Sequence, residues 1–219
     1  MPDVFVVSGV RTAIGGFGGS LKNVSPGELG ATVIRAAMER AAVTGRDIGH
    51  VALGHVINTE PRDMYRSRYA AVTAGVAQGT PAFNVNRLCG SGLQAVVSAA
   101  QTLLLGDAQI AIAGGVENMS RAPYIAPAHR FGARMGDSVM QDMMTGALSD
   151  PFEKMHMGVT AENVAREYGV SRQQQDELAV ASHQRAANAI DQGYFTEQIV
   201  PVVMKSRKGD IVFDTDEHV

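Results

Sequence analysis

Near the N-terminus four apolar residues in a row, Val4-Phe5-Val6-Val7, lack polar alternation and predict a short strand covered on both faces. A Gly-rich loop, Gly15-Gly16-Phe17-Gly18-Gly19, follows. In Ser25-Pro26-Gly27-Glu28 the serine caps a helix, proline takes its first position and glutamate closes a capping box. Leu29, Val33, Ile34, Ala37, Met38 and Ala41 then share one helical face. Val51-Ala52-Leu53 with Val56-Ile57 predicts a second strand, and Tyr65, Tyr69 and Val72 predict a helical stripe. Phe83-Asn84-Val85 is a third strand that runs into a helix with Leu93, Val96, Val97, Ala100 and Leu104 on its face, stopped by Gly106. Ile110-Ala111-Ile112-Ala113-Gly114-Gly115 makes a fourth, and strands alternating with helices predict an α/β layered sheet.

Between Glu117 and Pro151 neither period persists, and a stretch of that length without elements is functional, disordered or the sign of missed elements. Beyond it Ala161, Val164, Ala165 and Tyr168 predict a helix ended by Gly169. Ser171-Arg172-Gln173-Gln174 is a second capping box, opening a helix through Leu178, Ala181, Ala189 and Ile190. Ile199-Val200-Pro201-Val202-Val203, a turn at Lys208-Gly209-Asp210 and Ile211-Val212-Phe213 predict a hairpin.

Composition narrows the classes of partner. With 19 basic and 22 acidic residues and a net charge of -3, the chain has no basic excess for nucleic acid or anionic lipid. Its uninterrupted apolar runs fall far short of the roughly 18 residues of a membrane span, and Met1-Pro2-Asp3 followed by Val4 is neither a signal nor a transit peptide. One cysteine excludes an internal disulfide, so the expectation is a reduced, cytoplasmic protein with no nucleic-acid or membrane partner. Charged residues at 19% against an ordinary level of about 25%, and 24 glycines, point to buried surface and close backbone contacts.

That cysteine stands in Asn86-Arg87-Leu88-Cys89-Gly90-Ser91-Gly92, at the junction of a predicted strand and the first turn of a helix. Unpaired backbone N–H groups and the positive end of the helix dipole converge there, which favours a thiolate. The same N–H groups suit a developing oxyanion on a thioester carbonyl, and Gly90 and Gly92 let a substrate approach the backbone. Two readings stand at this point: a nucleophile, or a small buried hydrophobe.

The run from Val85 to Ala95 resembles the acyl-acceptor cysteine motif of the thiolases, the acyl-CoA C-acyltransferases. Collinear with it, Arg11-Thr12-Ala13-Ile14-Gly15 with Phe17-Gly18-Gly19-Ser20-Leu21 resembles the family's first strand and loop. Gly114-Gly115-Val116-Glu117-Asn118-Met119-Ser120 with Ala122-Pro123-Tyr124 resembles its entry into a loop domain. The segment from His156 to Ala165 resembles one lining the pantetheine tunnel.

The resemblance implies a thiolase-like layered α/β fold, with a mixed, mostly parallel sheet, helices on both faces and a loop-domain insertion. It divides the chain into an N-terminal thiolase-like domain over 1–118 and a loop domain over 119–219. It implies an acyl-CoA C-acyltransferase of the β-ketothiolase type that forms or cleaves 3-oxoacyl-CoA through an acyl thioester on Cys89. The backbone N–H of Cys89 would serve one oxyanion hole, and Leu148, His156 and Met157 would lie along the pantetheine arm of coenzyme A. His156 is not the family's base; its other reading is a polar residue of the loop-domain wall. Acetyl-CoA and other acyl-CoA thioesters are the implied substrates, with no tightly bound cofactor, no metal and a homo-oligomer, tetramer or dimer. The family's activating His, oxyanion Asn and second Cys belong to motifs of its C-terminal half that this chain lacks, so the expectation is a chain inactive alone. A decarboxylating ketoacyl synthase and a non-catalytic acyl-CoA-binding or assembly module are the alternatives.

Lesser features complete the reading. The loop 15–19 lacks the register of a phosphate loop and reads as close backbone packing. Lys205, Arg207 and Lys208 read as a solvated hairpin tip or as an attraction for a CoA phosphate, and Arg121, Arg130 and Arg134 resemble a subunit-contact segment. The run from Thr59 to Tyr65 looks more like broad-range β-ketothiolases than like acetoacetyl-forming members.

Overall fold

A computed structural model describes residues 3–219; Met1 and Pro2, on which the leader reading partly falls, lie outside the described residues. The chain divides into two compact units, one from the N-terminus to Arg121 together with Thr196–His218, the other Ala122–Phe195 with the terminal Val219. The compact units differ from the expected division at residue 118 in two respects: the first runs on to Arg121, and Thr196–His218 belongs with it.

In the first unit α1 (Pro26–Arg40) starts as its sequence dictates. Ser25 Oγ accepts from the Glu28 amide while the Glu28 carboxylate accepts from the Ser25 amide at 3.1 Å. Next come β1 (His50–Gly54), α2 (Arg66–Ala74), β2 (Ala82–Val85), α3 (Ser91–Leu105) and β3 (Ala111–Gly115). The three strands are parallel in the order β2-β1-β3, with Gly54 level with both Val85 and Gly115. Their carboxyl ends therefore share one edge, where open α/β sheets bind ligands.

Val51 and Leu53 point into a core of Ala31, Ile34, Met38, Ala70, Ala71 and Ala74 from α1 and α2. Side chains alternate along a strand, so Ala52 and Gly54 face the other way, where Gly54 meets the start of α3. The sheet thus has helices on both faces, as expected.

Three local expectations are corrected. Residues 4–7 form no ladder; Phe5, Val6 and Val7 are exposed, and a cavity of about 190 Å³ is lined by this segment and by residues 110–113 of the β3 side. A strand is made by its hydrogen-bonded neighbour, and an apolar run alone does not supply one. In α2 the buried face is Arg66, Ser67, Ala70, Ala71 and Ala74, while Tyr65 and Val72 are exposed. In α3 Ser91, Ala95 and Ala99 are buried and Leu93, Val96, Val97 and Leu104 are exposed. Apart from Arg66, small residues make both contacts because they let the helix backbone lie close to the sheet. The window Leu88–Leu105 has a mean hydropathy of 1.4, yet α3 itself, at 15 residues, is about 22 Å long against the roughly 30 Å of a bilayer core. Gly106 ends it in the left-handed conformation at φ 82°.

The second unit resolves the unpatterned stretch into short elements. β4 (Tyr124–Ile125) pairs antiparallel with β5 (Gln141–Asp142), and Asp142 caps α4 (Met143–Ala147) by accepting from the Met144 amide at 2.9 Å. α5 (Met157–Glu167) precedes α6 (Arg172–Asp191), whose capping box of Ser171 and Gln174 forms as expected.

The chain then rejoins the first unit through the expected hairpin, β6 (Val202–Met204) against β7 (Ile211–Phe213). Val202 and Phe213 close a core with Ala13, Leu21 and Leu29. Arg11 is tied in beside them: its amide donates to Gln198 O at 2.9 Å and its carbonyl accepts from Val200 N at 2.7 Å.

Candidate active site

Cys89 sits at the tip of the turn between β2 and α3, exposed and unbridged, so it is not the small buried hydrophobe. The turn is wound tightly. Asn86 Oδ1 accepts from the Leu88 amide at 3.0 Å, and the amides of Gly90 and Ser91 donate to the carbonyls of Arg87 and Leu88 at 3.1 and 2.9 Å. The Cys89 amide takes no part in these bonds. Ser91 Oγ, buried, accepts from Arg87 N at 2.8 Å and donates to Leu88 O at 2.6 Å. Leu88 is held at φ +47°, a left-handed conformation that a leucine adopts only when its surroundings impose it. A Cβ built on Gly92 meets nothing within 4 Å, which leaves the backbone beside the thiol open.

The first turn of α3 rests on the end of β1. A Cβ at Gly54 would stand 2.5 Å from the Ser91 carbonyl carbon and 2.6 Å from Gly92 N, so only glycine fits. Directly after Gly54, the His55 amide donates to Val85 O at 3.0 Å, one residue before the nucleophile turn begins. Its buried ring places Nδ1 3.1 Å from Val116 O and 3.3 Å from Glu117 Oε1, with Arg66 Nη1 also at 3.3 Å. Two acceptors against one donor assign the proton to Nδ1.

Below it lies a fully buried ion pair, Arg66 with Asp63. Asp63 Oδ2 also accepts from the Thr59 amide and hydroxyl at 2.6 and 2.7 Å and from Glu60 N at 3.1 Å. Burial works to raise the Asp63 pKa, but the Thr59 donors and the Arg66 charge outweigh it and hold the carboxyl below its usual range. Burial lowers the Arg66 pKa despite Asp63. The Glu117 carboxylate accepts from the amides of Val56 and Ile57 at 2.9 and 3.2 Å, so the segment after β1 is fastened to the end of β3.

The loop 15–19 is packed as expected, and what packs it is carboxylate. Glu217 Oε2 accepts from Gly16 N at 2.7 Å, and a Cβ at Gly19 would stand 2.4 Å from that oxygen. Arg11 forks onto both oxygens of Asp216 at 2.7 and 2.8 Å. Neither acid carried a sequence signal, because what gives them a role is the return of the chain to the first unit.

In the second unit Leu148, His156 and Met157 come together. Met157 N donates to Leu148 O at 2.9 Å, and His156 caps α5, its Nδ1 accepting from Gly158 N at 3.1 Å. Of the basic residues, Lys205 pairs with Asp210 at 2.6 Å in the exposed hairpin tip. Arg121, expected in a subunit-contact segment, is bound at 3.3 Å to Glu60 within the first unit; Arg130 is exposed in a short 3-10 helix, Pro127–Phe131, and Arg134 is exposed just after it. Among the described residues no group of three or more His, Cys, Asp or Glu is placed to hold a metal ion.

Sequence reasoning found Cys89 but missed His55, Asp63, Arg66 and Glu117. The usable signal was an Asp and an Arg three residues apart at the start of a helix whose remaining buried positions are alanine and serine.

The family model for the thiolase N-terminal domain matches residues 4–219. A beta-ketothiolase, BktB, of Cupriavidus necator is 69% identical over 217 residues, covering 99% of this chain and 55% of that protein. An acetyl-CoA acetyltransferase of the same organism is 49% identical over 221 residues, 100% of this chain and 56% of that protein. The crystal structure of the Bacillus anthracis acetyl-CoA acetyltransferase superposes with a TM-score of 0.93 at 41% identity, over 97% of this chain and 54% of that one. The chain spans about half the length of the relatives it matches. An exposed cysteine on a braced strand-to-helix turn, in a sheet of this topology and at these identities, places the chain in the thiolase family.

Proposed function

We propose that the protein is an acyl-CoA C-acyltransferase of the β-ketothiolase type, forming or cleaving 3-oxoacyl-CoA through an acyl thioester on Cys89. The observation that carries this is the placement of the sole cysteine, exposed, at the carboxyl edge of the parallel sheet and at the N-terminus of a 15-residue helix. The names of the relatives, beta-ketothiolase and acetyl-CoA acetyltransferase, support the substrate class.

The Cys89 thiolate attacks the thioester carbonyl of an acyl-CoA. The bond from carbonyl carbon to CoA sulfur breaks, and CoA leaves as a thiolate that takes a proton. The carbanion of a second acetyl-CoA then attacks the acyl carbonyl, a carbon–carbon bond forms, and Cys89 sulfur departs with its electron pair. A thiolate suits both roles, as nucleophile and as leaving group. The Cys89 amide, uncommitted in the turn, is a donor for the oxyanion of each tetrahedral intermediate. Leu148, His156 and Met157, gathered at the start of α5, are the proposed contacts for the pantetheine arm. Coenzyme A thioesters are substrates in this scheme, without a tightly bound cofactor, and the working form is a homo-oligomer.

The test is intact-mass spectrometry of the complete protein after mixing with acetyl-CoA. The expected result is one added acetyl group on the wild type and none on Cys89→Ser. A folded wild type that stays unmodified overturns the assignment.

A further inference from the structure

The carboxyl edge of the sheet holds buried polar groups that the acyl-transfer steps above do not use. His55 is the one that touches all three strand ends. Its amide bonds the carbonyl of Val85, the last residue of β2; its Nδ1 bonds the carbonyl of Val116, the residue after β3; and it directly follows Gly54, the last residue of β1. Gly54 in turn abuts Ser91 and Gly92, the first turn of α3. The protonated Nδ1 also faces Glu117 Oε1 at 3.3 Å, and Arg66, whose charge is balanced by the buried Asp63, packs beside the ring without a hydrogen bond to it.

We infer that His55 is a positioning residue for Cys89, fixing the three strand ends from which the nucleophile turn is launched. It touches no substrate. The path from His55 to the thiol is short: its backbone amide holds Val85 O, one residue from Asn86, whose side chain bonds the Leu88 amide, and Leu88 precedes Cys89. Val116 O anchors the other side, where the ring's bond adds to the bond from Val116 N to Gly54 O at 3.0 Å and to the Glu117 clasp on Val56 and Ile57, so its loss loosens the end of β1 against β3 without releasing it. It also leaves a half-buried carbonyl without its partner, which the strand end relieves by shifting. The Leu88 conformation persists only while its surroundings over-determine it, so the turn responds to such slack. Oxyanion donors act within a few tenths of an ångström, and an error of about 1 Å in positioning costs up to about 100-fold in rate.

The inference rests on the acyl-enzyme reading, and one experiment separates the two. Single-turnover acetylation of Cys89 at saturating acetyl-CoA is followed by intact mass in the complete protein, at a temperature where circular dichroism shows each variant folded. Alkylation of the same thiol by iodoacetamide is measured in parallel. For His55→Leu the expected result is acetylation slowed about tenfold or more with alkylation changed less than about threefold, since the thiol stays exposed. His55→Asn, whose amide reaches the position of Nδ1, is expected to recover acetylation to within about threefold of wild type. If His55→Leu does not fold, His55→Gln, which puts a carbon where Nδ1 stood, takes its place with the same expected result. Wild-type acetylation with an equally fast leucine or glutamine variant overturns the positioning role, as does an asparagine variant as slow as the leucine one. No acetylation of the wild type overturns the acyl-enzyme reading itself, and the positioning role falls with it.

Discussion

A Cβ at residue 54 would meet three atoms of the Ser91–Gly92 peptide in the first turn of α3, at 2.5 to 2.7 Å, and backbone cannot rotate out of the way as a side chain can. Gly54→Ala is therefore expected to cost about 1–3 kcal/mol, read as a lower urea midpoint with an unchanged slope. The same substitution is expected to slow Cys89 acetylation, because the displaced turn carries the thiol. An alanine variant as stable as wild type would show that α3 can recede without loss. The Asp63–Arg66 pair illustrates a different constraint at this scale. Two buried charges gain little net stability from each other, but neither can be removed alone, so they act as a fixed strut under His55.

Among the elements, those with a local stop or start code were legible in the sequence. Ser25 and Ser171 each close a capping box as read, Gly106 ends α3, and β2 and β3 lie within a residue of the expected runs, while β1 ends at Gly54 and leaves the expected Val56 and Ile57 outside the strand, where their amides bond the Glu117 carboxylate instead. Ser25 is buried and satisfies the first turn of α1, so Ser25→Ala is expected to lower stability by about 1 kcal/mol, seen as a drop of several degrees in Tm by circular dichroism. An unchanged Tm would mean that water or Glu28 alone completes the cap. What failed to read was which face of a helix is buried. Hydrophobic size pointed to Leu93, Val96 and Val97 in α3 and to Tyr65 and Val72 around α2, whereas contact distance selected Ala95, Ala99, Ala70 and Ala71. Cys89 was legible because its chemistry is written into seven consecutive residues. His55, Glu117 and Arg66 were not, since their partnership exists only once parallel pairing has aligned three strand ends.

At the scale of the whole molecule, the first unit is completed by segments from both ends of the chain. Arg11 and Asp216 are 205 residues apart in sequence and joined by a forked ion pair. Arg11 and then the Ile14 amide hold the Asp216 carboxyl below its usual range, while burial opposes them. A native pKa below the unfolded value of about 3.9 means that the pair contributes fully above that pH and is lost as pH falls through the lowered native value. Asp216→Asn is expected to destabilise the protein by about 1–2 kcal/mol at pH 7, after allowance for partial exposure, and the gap from wild type is expected to narrow as pH falls below about 3.9 and to close only below the lowered native value. Urea unfolding followed from pH 7 down through the acid range checks this; a gap that stays constant down to the lowest pH at which the protein is folded would place the stabilisation elsewhere than in the carboxylate. The 205-residue separation has a further meaning during biosynthesis. A ribosome adding about 5–20 residues per second takes about 10–40 s to travel from Arg11 to its partner. Throughout that interval the nascent chain carries Arg11 and the glycine loop without their closing hairpin and carboxylates, so a segment made early is among the last to be secured.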